Sequence, residues 1–119
     1  MIIVDTSVWI DHFRNKNRFL VDLLEHDSVL IHPFVIGELA CGSLKNRAIT
    51  IKLLSQLPKP KIATNSDVLE FIENWKIYSS GIGLIDAHLL TSTALQATIL
   101  FTLDKPLIRV AKLCKIGIY

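Results

Sequence analysis

The chain has 119 residues, half of them apolar, which suits one compact core spanning 1–119 and excludes a second domain or a disordered tail. Thirteen basic side chains against eleven acidic ones leave a net charge of +2, too small by itself to announce a nucleic-acid binder. No stretch approaches the roughly 20 apolar residues that cross a bilayer, and Met1-Ile2-Ile3-Val4 stops at Asp5 with no basic region before it, so a cytoplasmic setting without membrane insertion is expected.

Ile2 to Asp5 reads as a short buried strand whose end, Asp5-Thr6-Ser7, caps a helix running to about Arg14. Leu20, Leu23 and Leu24 then repeat at helical spacing up to a turn at Glu25-His26-Asp27. Ser28 to His32 is β-like, and Pro33 suits the first turn of a helix carrying Phe34, Val35, Glu38, Leu39 and Cys41. Ala48 to Leu57 is a further helix, closed by Pro58 and Pro60. Lys61 to Thr64 reads as a brief strand, and Ser66 as the cap of a helix whose buried stripe is Val68, Phe71, Ile72, Trp75 and Tyr78. Gly81 and Gly83 relax the chain before a helix from about Leu84 to Gln96. A strand from Thr98 to Thr102, a turn at Leu103-Asp104-Lys105-Pro106, a last helix and a terminal strand over Ile116 to Ile118 complete the chain.

Alternating strands and helices argue for an α/β fold, a parallel sheet with helices on both faces. In such sheets ligands bind outside the carboxyl ends of the strands, where Asp5 and Asp104 fall. The two cysteines, Cys41 and Cys114, sit in apolar helical patterns without paired-ligand spacing, so both are expected as buried thiols.

Two acids break the rule that helices turn charge outward. Glu38 has Phe34, Val35, Cys41 and Gly42 as its three- and four-residue neighbours, and Asp86 has Ile82, Gly83, Leu89 and Leu90. An unpaired carboxylate against a core costs several kcal/mol or must take up a proton. A cation gathered by Asp5, Glu38, Asp86 and Asp104 resolves the conflict, and Mg²⁺ or Mn²⁺ suits an all-oxygen set able to activate water against a phosphodiester. The plainer readings are separate ones: Asp5 or Asp86 as a helix cap, Asp104 as a turn residue, Glu38 as half of an ion pair. With those four acids neutralised, thirteen basic side chains face seven acidic ones, a surface that attracts a polyanion. Asp67, Glu70 and Glu73 read as a solvated helix face. His12, His26, His32 and His88 show no metal-ligand spacing, no serine or cysteine stands in a nucleophile elbow, and Gly81-Ile82-Gly83 lacks the rest of a dinucleotide fingerprint.

Val4-Asp5-Thr6-Ser7-Val8-Trp9, the glutamate in Ile36-Gly37-Glu38-Leu39, the segment Gly83-Leu-Ile-Asp86-Ala-His-Leu-Leu90 and Thr102-Leu-Asp104 together resemble the PIN-domain ribonucleases, specifically the VapC-type toxins of toxin–antitoxin pairs. The resemblance spans essentially the whole chain. It implies a PIN-like three-layer fold, Asp5, Glu38 and Asp86 as core acids with Asp104 as the fourth, and Thr6 and Thr102 as hydroxyls beside the metal. It further implies RNA cleavage with Mg²⁺ or Mn²⁺, a homodimer, and silencing by an antitoxin whose tail fills the groove. Where many members carry an acid or asparagine after the fourth aspartate, this chain has Lys105-Pro106, which leaves one or two metal positions open. Arg14, Lys16 and Arg18, and Lys105, Arg109 and Lys112, are candidate RNA contacts, against the plainer reading of solvated faces. The alternatives are a PIN-type nuclease acting in RNA maturation or on DNA, and a non-catalytic protein-binding module.

Overall fold

The computed structural model describes the whole chain, Met1–Tyr119. Its elements run β1 (Ile2–Val4), α1 (Thr6–Asn15), α2 (Arg18–Glu25), β2 (Val29–Leu30), α3 (Pro33–Cys41), α4 (Arg47–Gln56), α5 (Asn65–Trp75), α6 (Leu84–Gln96), β3 (Ile99–Phe101) and α7 (Lys105–Leu113). The strands form one parallel sheet in the order β2-β1-β3, with Ile3 opposite Leu30 on one side and Leu100 on the other. Successive strand residues point to opposite faces, yet Ile3 and Val4 are both fully buried, as are Leu100 and, nearly, Phe101. Both faces of the sheet are therefore covered, the pattern of a parallel sheet between helical layers, and the fold class is α/β as the alternation of elements predicts.

The core that holds these layers together is aliphatic: Ile3, Leu20, Ile31, Leu89, Leu90, Leu100 and Leu107 are among its fully buried side chains. Ile3 lies at its middle, paired to both neighbouring strands. Ile3→Ala is expected to cost about 2–5 kcal/mol, the range for truncating a buried isoleucine. Urea denaturation checks this as a lower midpoint at an unchanged slope.

Four sequence expectations are corrected. Lys61 to Thr64 is not a strand: the Lys61 N–H donates to the Gln96 side chain (2.9 Å) and the Ala63 N–H to Ser92 Oγ (3.3 Å), so side chains of α6 take the bonds a sheet neighbour would. Thr64, not Ser66, caps α5, because Thr64 Oγ1 accepts from the Asp67 N–H (3.1 Å) while Asp67 Oδ2 accepts from the Thr64 N–H (2.9 Å). The stripe on α5 fades toward its end: Val68 is buried and Phe71 and Ile72 are half-buried, but Trp75 is 38% and Tyr78 57% exposed. The helix stops at Trp75, Lys76 turns left-handed, and Ile77 takes the buried place instead. Finally, Cys114 is buried but Cys41, the last residue of α3, is exposed, because that helix buries its Val35–Leu39 face.

The terminal strand contracts to one bridge, Ile118 against Leu100, flanked by the Leu100 N–H to Gly117 O and Tyr119 N–H to Leu100 O bonds, both 2.9 Å. Two bonds about a single residue make no ladder.

Candidate active site

A parallel sheet sets the carboxyl ends of all its strands at one edge, and an order of 2-1-3 reverses direction between β1 and β3. That crevice is where the chain delivers Asp5 and the Thr102–Asp104 segment. Asp5 follows β1 directly, and its N–H donates to Phe101 O on β3 at 2.9 Å. Its extended backbone makes it the N-cap of α1, so the carboxylate turns back over the helix start.

One carboxylate oxygen of Asp5 is fully engaged. Oδ2 accepts from Ser7 Oγ (2.7 Å), from Thr102 Oγ1 (2.8 Å) and, at greater length, from the Ser7 N–H (3.4 Å). Oδ1 has no donor in the protein, yet it is not sealed away, although Asp5 as a residue is only 5% exposed. The same hydroxyls reach the fourth acid. Ser7 Oγ accepts from the Leu103 N–H (3.0 Å), and Thr102 Oγ1 accepts from the Asp104 N–H (3.1 Å). Asp104 occupies the N-cap position of α7 without a side-chain capping bond.

Asp86 lies in the first turn of α6, half-buried, with Oδ2 accepting from the Gly83 N–H at 3.3 Å. Burial pushes its carboxyl above the ordinary aspartate value against that hydrogen bond, and the negative charges of Asp5, Asp104 and Glu38 push it the same way. The other three acids thus bear on Asp86 across the crevice. None is neutralised by a basic side chain, since the molecule's one ion pair is the exposed His26–Asp22 contact at 3.5 Å.

Glu38 departs from expectation in its setting. It is exposed rather than turned to the core, and Thr6 Oγ1 donates to its Oε1 at 2.7 Å. Its helix buries Val35 and Leu39 while leaving Phe34 41% exposed, so the apolar neighbours in the sequence do not imply a buried carboxylate. Thr6 accordingly holds Glu38, whereas the hydroxyls on Asp5 are those of Thr102 and Ser7. With the side chains in these positions no three carboxylate, imidazole or thiol groups close on a common point. What the arrangement offers is an all-oxygen donor set, uncompensated and mutually repelling, which fits a hard divalent cation.

A cleft of about 600 Å³ lies to one side of this cluster and shares Glu38 with it, but not Asp5, Asp86 or Asp104. Ile10, Phe13, Leu39 and Leu44 supply its apolar lining, with Arg14 and Lys45 as its cations. The other candidate RNA contacts are spread: Lys16 ends α1, Arg18 opens α2, Lys105 follows Asp104, and Lys112 lies in the last turn of α7, all exposed. Arg109 is also exposed, but its guanidinium donates to Ser80 O at 2.9 Å. Two residues escape the sequence reading. Ser7 carries a mark there, two positions after Asp5 at capping distance, whereas Lys45 has none.

The histidines stand apart from this chemistry. His32 caps α3, its Nδ1 accepting from the Phe34 N–H at 3.0 Å, and its ring lies 6.3 Å from that of His88. Burial first, and His88 second, bring the His32 pKa down to about 4, so the ring is neutral near pH 7.

A family model described as the PIN domain matches residues 2–113. Ribonuclease VapC32 of Mycobacterium tuberculosis, from strains CDC 1551 / Oshkosh and ATCC 25618 / H37Rv alike, is 44% identical over 108 residues, covering 90% of this chain and 87% of that protein. Among solved structures, FitAB bound to an IR36 DNA fragment superposes with a TM-score of 0.71 at 14% identity, covering 100% of this chain and 94% of the other. FitAcB from Neisseria gonorrhoeae gives 0.70 at 16%, covering 100% and 96%. At those identities the two structures speak for the fold alone.

Proposed function

The chain belongs to the PIN-domain family, among its VapC-type ribonucleases, and from that premise we propose that Asp5, Asp86, Asp104 and Glu38 hold a divalent cation, Mg²⁺ or Mn²⁺, for hydrolysis of RNA. The protein is the toxin nuclease of a toxin–antitoxin system, whose partner is an antitoxin. The observation that carries the metal reading is Asp5. Its buried carboxylate has one oxygen held by three donors and the other left unbonded and open.

Asp5 Oδ1 and Asp86 are the principal ligands in this reading, with Glu38 and Asp104 completing the oxygen set. When bound, the cation supplies Lewis acidity, polarising the scissile phosphate and lowering the pKa of water. The side chains do the rest. Ser7 and Thr102 fix the rotamer of Asp5, so the ligand oxygen is aimed before any cation arrives. Thr6 holds Glu38 from the first turn of α1, and the Gly83 N–H orients Asp86 from its own helix start. Asp86 has its proton affinity raised by burial and by its acidic neighbours, a cost to its charged form that a bound cation would relieve.

The antitoxin reading has a natural place in the cleft beside Glu38, where an apolar segment seated on Ile10, Phe13, Leu39 and Leu44 covers the approach to the acids. A homodimer in a cytoplasmic setting belongs to the same proposal, and sedimentation of the purified protein tests the former. No helix is long and apolar enough to cross a membrane.

The deciding experiment is cleavage of labelled RNA and of a DNA with matched sequence. Cutting of RNA that stops in excess EDTA and returns with Mg²⁺ or Mn²⁺ is expected, with the DNA intact. Undiminished cutting in EDTA would end the metal reading, and preferential cutting of DNA would end the ribonuclease one.

A further inference from the structure

Helix α6 begins without a side-chain cap, because its N-cap is Gly83. The placement of Asp86 therefore depends on the incoming segment, whose Gly83 N–H is the hydrogen-bond donor to the Asp86 carboxylate at 3.3 Å. That segment, residues 78–82, makes two left-handed excursions within three residues, Ser79 at φ 58° and Gly81 at φ 91°. The Ser80 hydroxyl is buried without a partner, so it contributes no tether. A single hydrogen bond ties the segment to another element: Arg109 Nη2 to Ser80 O, 2.9 Å. Arg109 stands on α7, the helix whose N-cap is Asp104. The carbonyl it grips is three residues ahead of the N–H that orients Asp86.

We propose that Arg109 is a positioning residue for the acidic site, clamping the Ser80 carbonyl so that the start of α6 presents Asp86 toward the crevice that also holds Asp5 and Asp104. A guanidinium suits this role, since it stays charged and a charge-assisted bond to a carbonyl is stronger than a neutral one. The clamp accounts for the position of Arg109 better than a direct phosphate contact, because the bond already directs one face of the fork at the backbone. The proposal rests on the metal-dependent nuclease reading for its consequence, but the clamp itself is a property of the chain and is measurable without any reaction.

The test compares wild type with Arg109→Met, which loses donor and charge, and Arg109→Lys, which keeps the charge with a simpler donor. Amide hydrogen exchange in the cation-free protein is expected to quicken over residues 80–86 in Arg109→Met and to fall between the two in Arg109→Lys. In cleavage assays the Mn²⁺ concentration for half-maximal rate is expected to rise roughly five- to tenfold in Arg109→Met, the scale of one ordinary hydrogen bond, since this one is exposed to water. RNA binding, measured in EDTA, is expected to keep its salt dependence. A phosphate contact predicts the reverse: unchanged exchange, unchanged Mn²⁺ requirement, and a salt slope lower by about one unit. That result would overturn the clamp and return Arg109 to the RNA surface. Should wild type cut no RNA with any cation, the nuclease reading fails, while the exchange measurement still decides whether Arg109 holds the segment.

Discussion

Asp5→Asn is expected to lower RNA cleavage by about two orders of magnitude or more, and to abolish growth arrest on expression, while the protein stays folded. The structural cost is small because asparagine caps helices as well as aspartate does. The amide oxygen can take the place of Oδ2, where the Ser7 hydroxyl, the Ser7 N–H and the Thr102 hydroxyl all donate. That choice dictates the other end of the side chain. With its oxygen turned to three donors, the amide presents NH₂ where Oδ1 stood, so a donor faces the cation in place of a negative acceptor. Loss on this scale matches what removal of a preorganised electrostatic group costs elsewhere. The check is a single-turnover rate beside a thermal melt. Undiminished cleavage would remove Asp5 from the site, and a melt many degrees lower would make the loss one of folding.

The variant also separates the two jobs that Asp5 performs, which the sequence shows only superimposed. An apolar run ending in Asp-Thr-Ser marks both a strand end and a helix cap, and the structure bears out the cap. Its second job becomes visible only when β3 lies beside β1, bringing Thr102 to within 2.8 Å of a residue 97 positions earlier. Local pattern carries the strands, most helix limits and the parallel arrangement, because period and punctuation act over a few residues. It misleads where tertiary partners decide. Lys61 to Thr64 is extended enough to suggest a strand, but Gln96 and Ser92 satisfy its backbone. Glu38 sits among apolar neighbours, yet a nine-residue helix turns only part of its surface inward, and the carboxylate comes out on the open side with Thr6. Asp86 was legible for the opposite reason: its neighbours Leu89 and Leu90 are fully buried, so the carboxylate could not avoid partial burial. Ser7 is marked by its spacing from Asp5, but its contact with Thr102, like that of Arg109 with Ser80, comes only through long-range packing that no spacing in the chain encodes.

Asp86→Asn should behave in a way that no merely structural aspartate would, losing cleavage while making the cation-free protein more heat-resistant. The native carboxyl has its pKa raised, first by burial and then by Asp5, Asp104 and Glu38. A raised acid binds its proton more tightly folded than unfolded, so its stabilising contribution is complete below the unfolded value near 4 and is lost as pH rises through the folded one. Near pH 7, without a cation, the ionised group is therefore a net burden on the native state. Asparagine removes that charge and still offers an amide oxygen to the Gly83 N–H. Melts in EDTA should rank the variant above wild type at pH 7, with the gap closing toward pH 4 as Asp86 regains its proton. Mn²⁺ should then reverse the order, since a ligand that binds only the folded state stabilises it in proportion to its affinity, and the variant has lost a ligand. Two results would contradict this account: a variant that melts below wild type in EDTA at neutral pH, or one that gains as much from Mn²⁺ as wild type does. The first would mean that Asp86 supports the fold as an ion, and the second that the cation settles somewhere other than the crevice between β1 and β3.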